Sequence, residues 1–366
     1  MQTSTNTQKM GTAGAGPEGT RLAAVATRKG TPRAHHRARP NGRLAHALSN
    51  ASPGGTPLDV SKTEAAYVGY HKTFHDRLDK TTGIAQMVAT IVETDELIDR
   101  QVWLSGNPKM RRWEGDKVLH RYRSESHPIV TAPHEASVEI PKQAIENDKL
   151  GLYRPRIDSL PDSFQWGLDE LAIVMLCAGI QGIALGSTYD GQNLIDTDHT
   201  ALSVGGTSQS NKVTGALSAT TYNLAWTRLL GLVDENGIPV NVAGKRMKLV
   251  VGPANREAAR DIIDQQTQAN GEQNMDRGTA DLIVTPWIRA GTVIVNGVSV
   301  TMTGLEWFLI PEGSSAILIH VKQRPVFLSV EEGEFVFRTG IYLYGFECEI
   351  GAAYGLWQEI VGGPGS

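Results

Sequence analysis

Cysteine is nearly absent from this 366-residue chain: Cys177 and Cys348 are the only two. Two thiols cannot build a disulfide framework or a four-cysteine zinc site, and their scarcity suits a reducing compartment. Aromatic residues are sparse, at 6%. Nor is there an apolar run of the roughly 20 residues that a membrane span needs; the longest, Leu171 to Leu185, is broken by Gly179, Gln181 and Gly182. A G-x-S-x-G nucleophile turn and a G-x-x-x-x-G-K-[ST] phosphate loop are both missing. The ten histidines are scattered, and both cysteines lie in apolar neighbourhoods. These absences argue against a serine or cysteine nucleophile, a nucleotide hydrolase and a membrane protein. No cofactor is expected, and no internal repeat is visible.

What is present is an ordinary globular composition, 40% apolar and 20% charged. The length suggests two or three domains at about 150 residues each. Glycine is frequent, 39 residues without a three-residue period, which implies many turns. The net charge of −4 conceals an asymmetry. Residues 1–50 hold Lys9, Arg21, Arg28, Lys29, Arg33, Arg37, Arg39 and Arg43 against the single acid Glu18, a balance of +7, so the rest of the chain carries −11. A basic tail on an acidic body fits a chain that touches polyanions or docks on its own kind. Residues 1–55 contain no aromatic residue and no apolar period, and are expected to be disordered. A secretory signal is not expected there, because Arg21 to Ala26 offers too short an apolar core.

Order is expected from about Pro57. Ser61-Lys62-Thr63-Glu64 has capping-box form, and Tyr67, Tyr70, Phe74 and Leu78 give the following helix an aromatic stripe. Residues 105–140 carry Lys109, Arg111, Arg112, Lys117, Arg121 and Arg123 with few large apolar groups. Such a segment cannot bury itself and reads as a projecting two-stranded arm, which needs a partner to lie on. A long helix, apolar on most sides, is predicted over about 161–186 as a central spine. Ser218 opens another helix that runs to about Leu232. Met247 to Val251 is a buried strand turned into a helix by Gly252-Pro253, and Asn296-Gly297 marks a hairpin. The C-terminal third reads as strands: Glu306 to Ile310, Ala316 to Val321, Val326 to Val330, Phe335 to Phe337 and Tyr342 to Ile350. The whole is an α+β pattern.

One cluster has the chemistry of a metal site: Asp190, Asp196, Asp198 and His199. A metal-dependent hydrolase using Asp196, Asp198 and His199 is the alternative from the enzyme class. Asp190-Gly191 is a turn dipeptide, however, and the segment lacks the glycine and terminal glutamate of a calcium loop, which favours loop capping.

Four segments in register resemble one family. Trp103-Leu104-Ser105-Gly106-Asn107-Pro108-Lys109-Met110-Arg111-Arg112-Trp113-Glu114-Gly115 is similar to the start of the extended loop in Mu-like phage major head subunits. Ile145-Glu146-Asn147-Asp148 followed by Gly151-Leu152-Tyr153 resembles their lead-in to the spine helix. Tyr189 to His199 resembles their D-G-x-x-L-F-x-x-x-H loop, with Ile195 at the Phe position. Tyr344 to Gln358 resembles their C-terminal strand. The chain departs from the pattern in its long basic tail and in Glu347 and Glu349, where a basic residue is expected.

The resemblance implies the Hong Kong 97-type phage capsid fold. Its segments would be a basic tail (1–55), an N-terminal arm (56–104), the extended loop (105–140), the first part of a peripheral domain (141–218), an axial domain (219–335) and the returning peripheral strands (336–366), with a hinge in 205–215. It implies a non-enzymatic major capsid protein that assembles with itself, as hexamers and pentamers, into an icosahedral shell around double-stranded DNA. Scaffold, portal and decoration proteins are further implied partners. The place of action would be the virion, after assembly in the host cytoplasm; an encapsulin-like cargo compartment is the alternative within the fold. Expected inter-subunit residues are Trp103, Arg111, Arg112, Trp113, Lys117, Arg121 and Arg123. Expected non-specific DNA contacts are Arg21, Arg28, Lys29, Arg33, Arg37, Arg39 and Arg43.

Overall fold

The structure, a computed structural model, describes residues 70–365 except 97, 105–109, 118, 120–123, 148–151, 183, 200–207, 235, 242–243 and 268–270; for 98–104, 124–127, 146 and 154 it describes the backbone alone. The basic tail and the Ser61 capping box lie outside the described residues.

The predicted spine is helix α5, Leu160–Gln181. Pro161 and Asp162 occupy its first turn, where a missing N–H costs nothing and a carboxylate meets the positive end of the helix. Arg77 grips the Asp162 carboxylate with two nitrogens, at 2.8 and 2.5 Å. Fifteen of the 22 helix residues are buried, so the helix must be covered on every side. By length and apolarity Pro155–Gln181 could cross a membrane, but most of its apolar window is buried against the rest of the protein, as in a core helix.

Two sheets provide most of the cover. The first has the strand order β1 (Thr90–Glu93), β10 (Ile317–Val330), β11 (Ile341–Tyr354) and β4 (Ala132–Pro141), antiparallel except where β1 meets β10. Its strands come from four of the expected segments. Its inner face meets the spine and helix α1, residues 70–78. There the aromatic stripe packs as the sequence suggests: Tyr70 lies edge-on to Tyr344 at 5.8 Å, and Phe74 sits 5.3 Å from Phe327. Tyr354 Oη donates to the Met175 carbonyl at 3.0 Å, tying β11 to the spine. The β10–β11 register slips around Gln323 to Val326, where Pro325 has no N–H for the ladder.

The second sheet has the order β12 (Val361–Gly363), β9 (Trp307–Pro311), β5 (Met247–Val251) and β6 (Ala280–Val284). Its core strand β9 is buried at every position. Helix α6, Ala219–Gly231, starts where expected: Ser218 and Thr221 exchange capping-box hydrogen bonds. Helix α7, Arg256–Ile263, follows a turn at Pro253–Asn255. Strands β7 (Gly291–Val295) and β8 (Val298–Met302) form a hairpin, closed by Asn296 and Gly297 with φ of 50° and 78°, the left-handed pair such a turn requires.

One strand expectation is overturned. Phe335 to Phe337 lie in helix α8, Glu334–Thr339, rather than in a strand. Gly333 (φ 103°) and Gly340 (φ 65°) bound it with conformations that interrupt a strand and stop a helix, and Glu334 and Arg338 pair one turn apart. Three short helices precede the spine: α2 (Ala85–Val88), α3 (Lys142–Glu146) and α4 (Arg154–Asp158).

Close to the end of the spine, Gly179 lets another segment approach. The Ile195 N–H donates to the Gly179 carbonyl at 2.9 Å, and a Cβ on Gly179 would lie 2.7 Å from the Cβ of buried Leu194. Gly179→Val should therefore lower stability by about 1–3 kcal/mol through overpacking, measured by urea unfolding, while the conservative Ile173→Val should cost no more than about 1.5 kcal/mol.

Candidate functional site

Two features bear on function: a projecting arm and a buried clasp. The arm is a hairpin of β2 (Ile98–Leu104) and β3 (Ser124–Val130), paired over seven residues and joined to no other sheet. Its root is anchored where Ile129 packs with Leu318 and Ala353. Beyond it, Met110, Trp113 and Leu119 are exposed, Met110 fully and Leu119 by 87%. Arg111, Arg112 and Lys117 are exposed as well. The contacts at this tip are local. Arg111 donates to the Asp116 carbonyl at 3.1 Å and Trp113 Nε1 to the Gly115 carbonyl at 2.7 Å. Arg112 pairs with Glu114 at 3.2 Å, and Lys117 sits 5.5 Å over the Trp113 ring. The backbone thus places Trp103 on β2, while Arg121, Arg123 and all seven expected DNA-contacting residues of the tail fall outside the described residues.

The clasp occupies the place where the sequence offered a metal. His199 is completely buried; its Nδ1 faces Asp190 Oδ2 at 2.8 Å and its Nε2 faces Asn211 Oδ1 at 3.2 Å. Its ring stacks on Trp357, 4.0 Å between centroids and 6° from parallel. The Asn211 amide donates to the carbonyls of Leu194 and Trp357, which fixes its oxygen toward the imidazole. Both ring nitrogens are thereby committed to neighbours and none remains for a cation. Asp198 is exposed, and Asp196 accepts from the Thr197 N–H at 2.7 Å. Among the described residues no group of three or more His, Cys, Asp or Glu side chains could hold a metal ion. With both ring nitrogens of His199 engaged, the Asp-His pair ties a loop to the C-terminal segment. Asn211 and Trp357 were missed because they lie 12 and 158 positions from His199 and carry no motif.

Around the clasp, Val213 N–H donates to the Gly362 carbonyl at 2.8 Å, and Gln358 donates to Tyr189 Oη at 2.6 Å. Residues 209–213, in the expected hinge stretch, are therefore held to β12 and to the spine loop; 201–207 lie outside the described residues. Elsewhere, burial pushes the Cys177 thiol well up and that of Cys348 up to about 11, which keeps both as inert thiols.

Burial alone would raise the Asp190 carboxyl, but hydrogen bonds from His199, Thr188 and the Gln192 N–H outweigh it and hold the carboxyl below its ordinary value of 3.8. A carboxyl depressed by folding adds stability that is complete above its unfolded pKa and is lost as pH falls through the folded one. The melting-temperature gap between the native chain and Asp190→Asn should thus be full at pH 6 and shrink as pH drops below about 4. His199→Ala, which strands a buried carboxylate, should cost about 3–5 kcal/mol. Thermal melts between pH 3 and 7 check both; a gap that widens in acid would contradict the reading.

A single spine helix, a long antiparallel sheet laid on it, a second sheet and a projecting two-stranded arm define the Hong Kong 97-type fold of phage capsid proteins. The mature capsid protein of bacteriophage PhiM1 superposes on this chain with a TM-score of 0.52 at 9% identity, covering 77% of this chain and 87% of that one. The chain belongs to the Mu-like prophage major head subunit gpT family, whose profile matches residues 63–219 and 211–288. It is 32% identical over 166 residues to the Mu-like prophage FluMu major head subunit of Haemophilus influenzae, covering 44% of this chain and 53% of that protein. It is 25% identical over 144 residues to the major capsid protein of Escherichia phage Mu, covering 39% and 45%. The chain therefore aligns with about half the length of these relatives. The family is a structural one, not an enzyme family. The resemblance at Tyr344 to Gln358 falls beyond the matched residues.

Proposed function

We propose that this chain is the wall subunit of a tailed-phage head, and that its copies assemble as hexamers and pentamers into an icosahedral shell enclosing double-stranded DNA. The observation that carries the reading is the arm: a member of a head-subunit family sends out a hairpin whose apolar and basic tip has, among the described residues, only local contacts. An isolated two-stranded ribbon is marginal in water, and a shell supplies a neighbour for every copy. Under this reading the peripheral domain comprises the spine and the sheet β1-β10-β11-β4. The axial domain comprises β12-β9-β5-β6 with α6 and α7, which shifts the expected bounds: β10, inside the stretch 219–335 expected to be axial, pairs with β11, and β12, inside the stretch 336–366 expected to be peripheral, pairs with β9. The subunit acts in the virion, after assembly in the host cytoplasm.

Electron microscopy of the purified protein tests the function. DNA-containing shells are expected; shells filled with protein cargo would favour an encapsulin-like compartment, and a compact monomer or dimer under assembly conditions would overturn both. The basic tail offers DNA a diffuse cationic contact through Arg21, Arg28, Lys29, Arg33, Arg37, Arg39 and Arg43, without sequence preference. Deleting residues 1–50 should leave shell formation intact but weaken genome retention, with a shallower salt dependence of DNA binding. Retention with an unchanged salt response would refute that role.

The arm's cations matter through their number. Each exposed pair is worth less than about 1 kcal/mol, and rim charges act mainly on encounter rate. Arg111→Glu with Arg112→Glu should slow shell formation at low salt, followed by light scattering, with the subunit's thermal melt unaltered.

A further inference from the structure

We infer that His71 and His75, one turn apart on helix α1, form a binding site for a single divalent transition-metal ion, with water completing its coordination. Residues four apart on a helix are neighbours on one face. These two rings lie 4.5 Å apart between centroids and are tilted by 54°. That separation is what a shared ion requires. With metal–nitrogen bonds of about 2.0–2.1 Å, each ring centre stands about 3.2 Å from the ion. Two imidazoles set about 90–109° apart around it then have their centres about 4.5–5.2 Å apart. The tilt also distinguishes the pair from a parallel stack.

The fold holds the pair in place. Phe74 and Leu78, on the neighbouring face of α1, are buried, which fixes the rotation of the helix against the sheet. The Phe74 ring meets that of His75 edge-on at 5.4 Å. Arg77 is tied to Asp162 on the spine, and Arg324 on β10 reaches Asp79 at 3.1 Å. Preorganisation of this kind lowers the entropy cost of ordering the ligands. A metal also needs a neutral imidazole. Burial first, then the neighbouring His71 and more weakly Arg324, hold His75 below its ordinary value of 6.5, against the opposite pull of Asp79 and Asp76. Two imidazolium groups this close would repel one another, whereas one ion between two neutral rings satisfies both. Asp79, next along the same face, is engaged by Arg324 and is not counted as a third ligand. His71 is exposed and His75 half-buried, so the remaining coordination positions open to water. Two imidazoles suit zinc, nickel or copper; calcium and magnesium prefer oxygen ligands. An ion here would clip two turns of α1 together where that helix leads the chain onto the sheet.

The test uses the full chain carrying His35→Gln and His36→Gln, which removes the adjacent histidine pair of the tail. After treatment with a chelator, this chain should take up one Zn²⁺ per subunit by calorimetric titration and melt at a higher temperature with Zn²⁺ present, as a ligand of the folded state requires. Mg²⁺ should do neither. His71→Gln and His75→Gln should each weaken Zn²⁺ binding by about tenfold or more, the loss that disturbing a ligand's support already brings, and should abolish the melting shift. His71 is exposed, so its variant decides the matter if the His75 variant unfolds. Zinc binding and a melting shift that persist unchanged in His71→Gln would place the ion elsewhere and overturn the site. So would a parent chain whose melt does not respond to Zn²⁺.

Discussion

The constraint on which the structure depends is that the second half of helix α5 has no side that tolerates water. From Leu171 to Ile180 every residue is buried, so no single sheet or helix could cover it. The chain meets the demand by surrounding the helix. The inner face of β10 and β11 lies against it, the β7–β8 hairpin packs beside it, and α2 docks through the Ala85 N–H on buried Asp169 at 2.8 Å. The Leu194–Ile195 loop closes over Gly179. Because interiors are packed to near-crystalline density, these elements brace one another through the spine. The clasp of His199, Asp190, Asn211 and Trp357 extends that bracing to the C-terminal segment, which also carries β12 into the second sheet.

What was legible in the sequence was local in origin. The Ser218 cap, the Asn296-Gly297 turn, the aromatic stripe on α1 and the uninterrupted apolar spine each depend on residues within about one turn or one strand of one another. What was not legible required distant partners or the competition of two local signals. Phe335 to Phe337 alternate like a strand, but glycines on either side take conformations that detach the segment from both neighbouring strands and leave it to coil. The Asp-x-Asp-His spacing suggested ligands because nothing nearby in sequence announces that Asn211 and Trp357 will enclose the imidazole. The β4 strand lies almost wholly in the segment that reads as arm, and its ten-residue pairing with β11 joins positions 200 or more apart.

The arm and the sheet face show a division that follows from this architecture. The buried core does not depend on the charges at either place, and on the sheet Glu135 and Glu347 stand directly opposed. Repulsion of Glu135 by Glu347, and the exposure of Trp113 and Met110, are tolerable because each costs little beside the buried spine.

If the arm tip of one copy meets a different place on the next, the contact between copies is heterologous: each subunit gives at one end and receives at the other. Such a contact cannot stop at a pair. It propagates until the rotation between neighbours closes a ring, and rings that share subunit edges close a shell. The strength of one contact matters less than its repetition, because every copy in a closed ring is held on both sides and must break two contacts to leave. Weak pairs, worth less than about 1 kcal/mol each and screened over roughly 10 Å at 0.1 M salt, therefore suffice for closure. They also let a misplaced subunit depart before the ring is complete. A single tight apolar interface would sacrifice that correction, which gives a physical reason for the tip to carry so many basic residues.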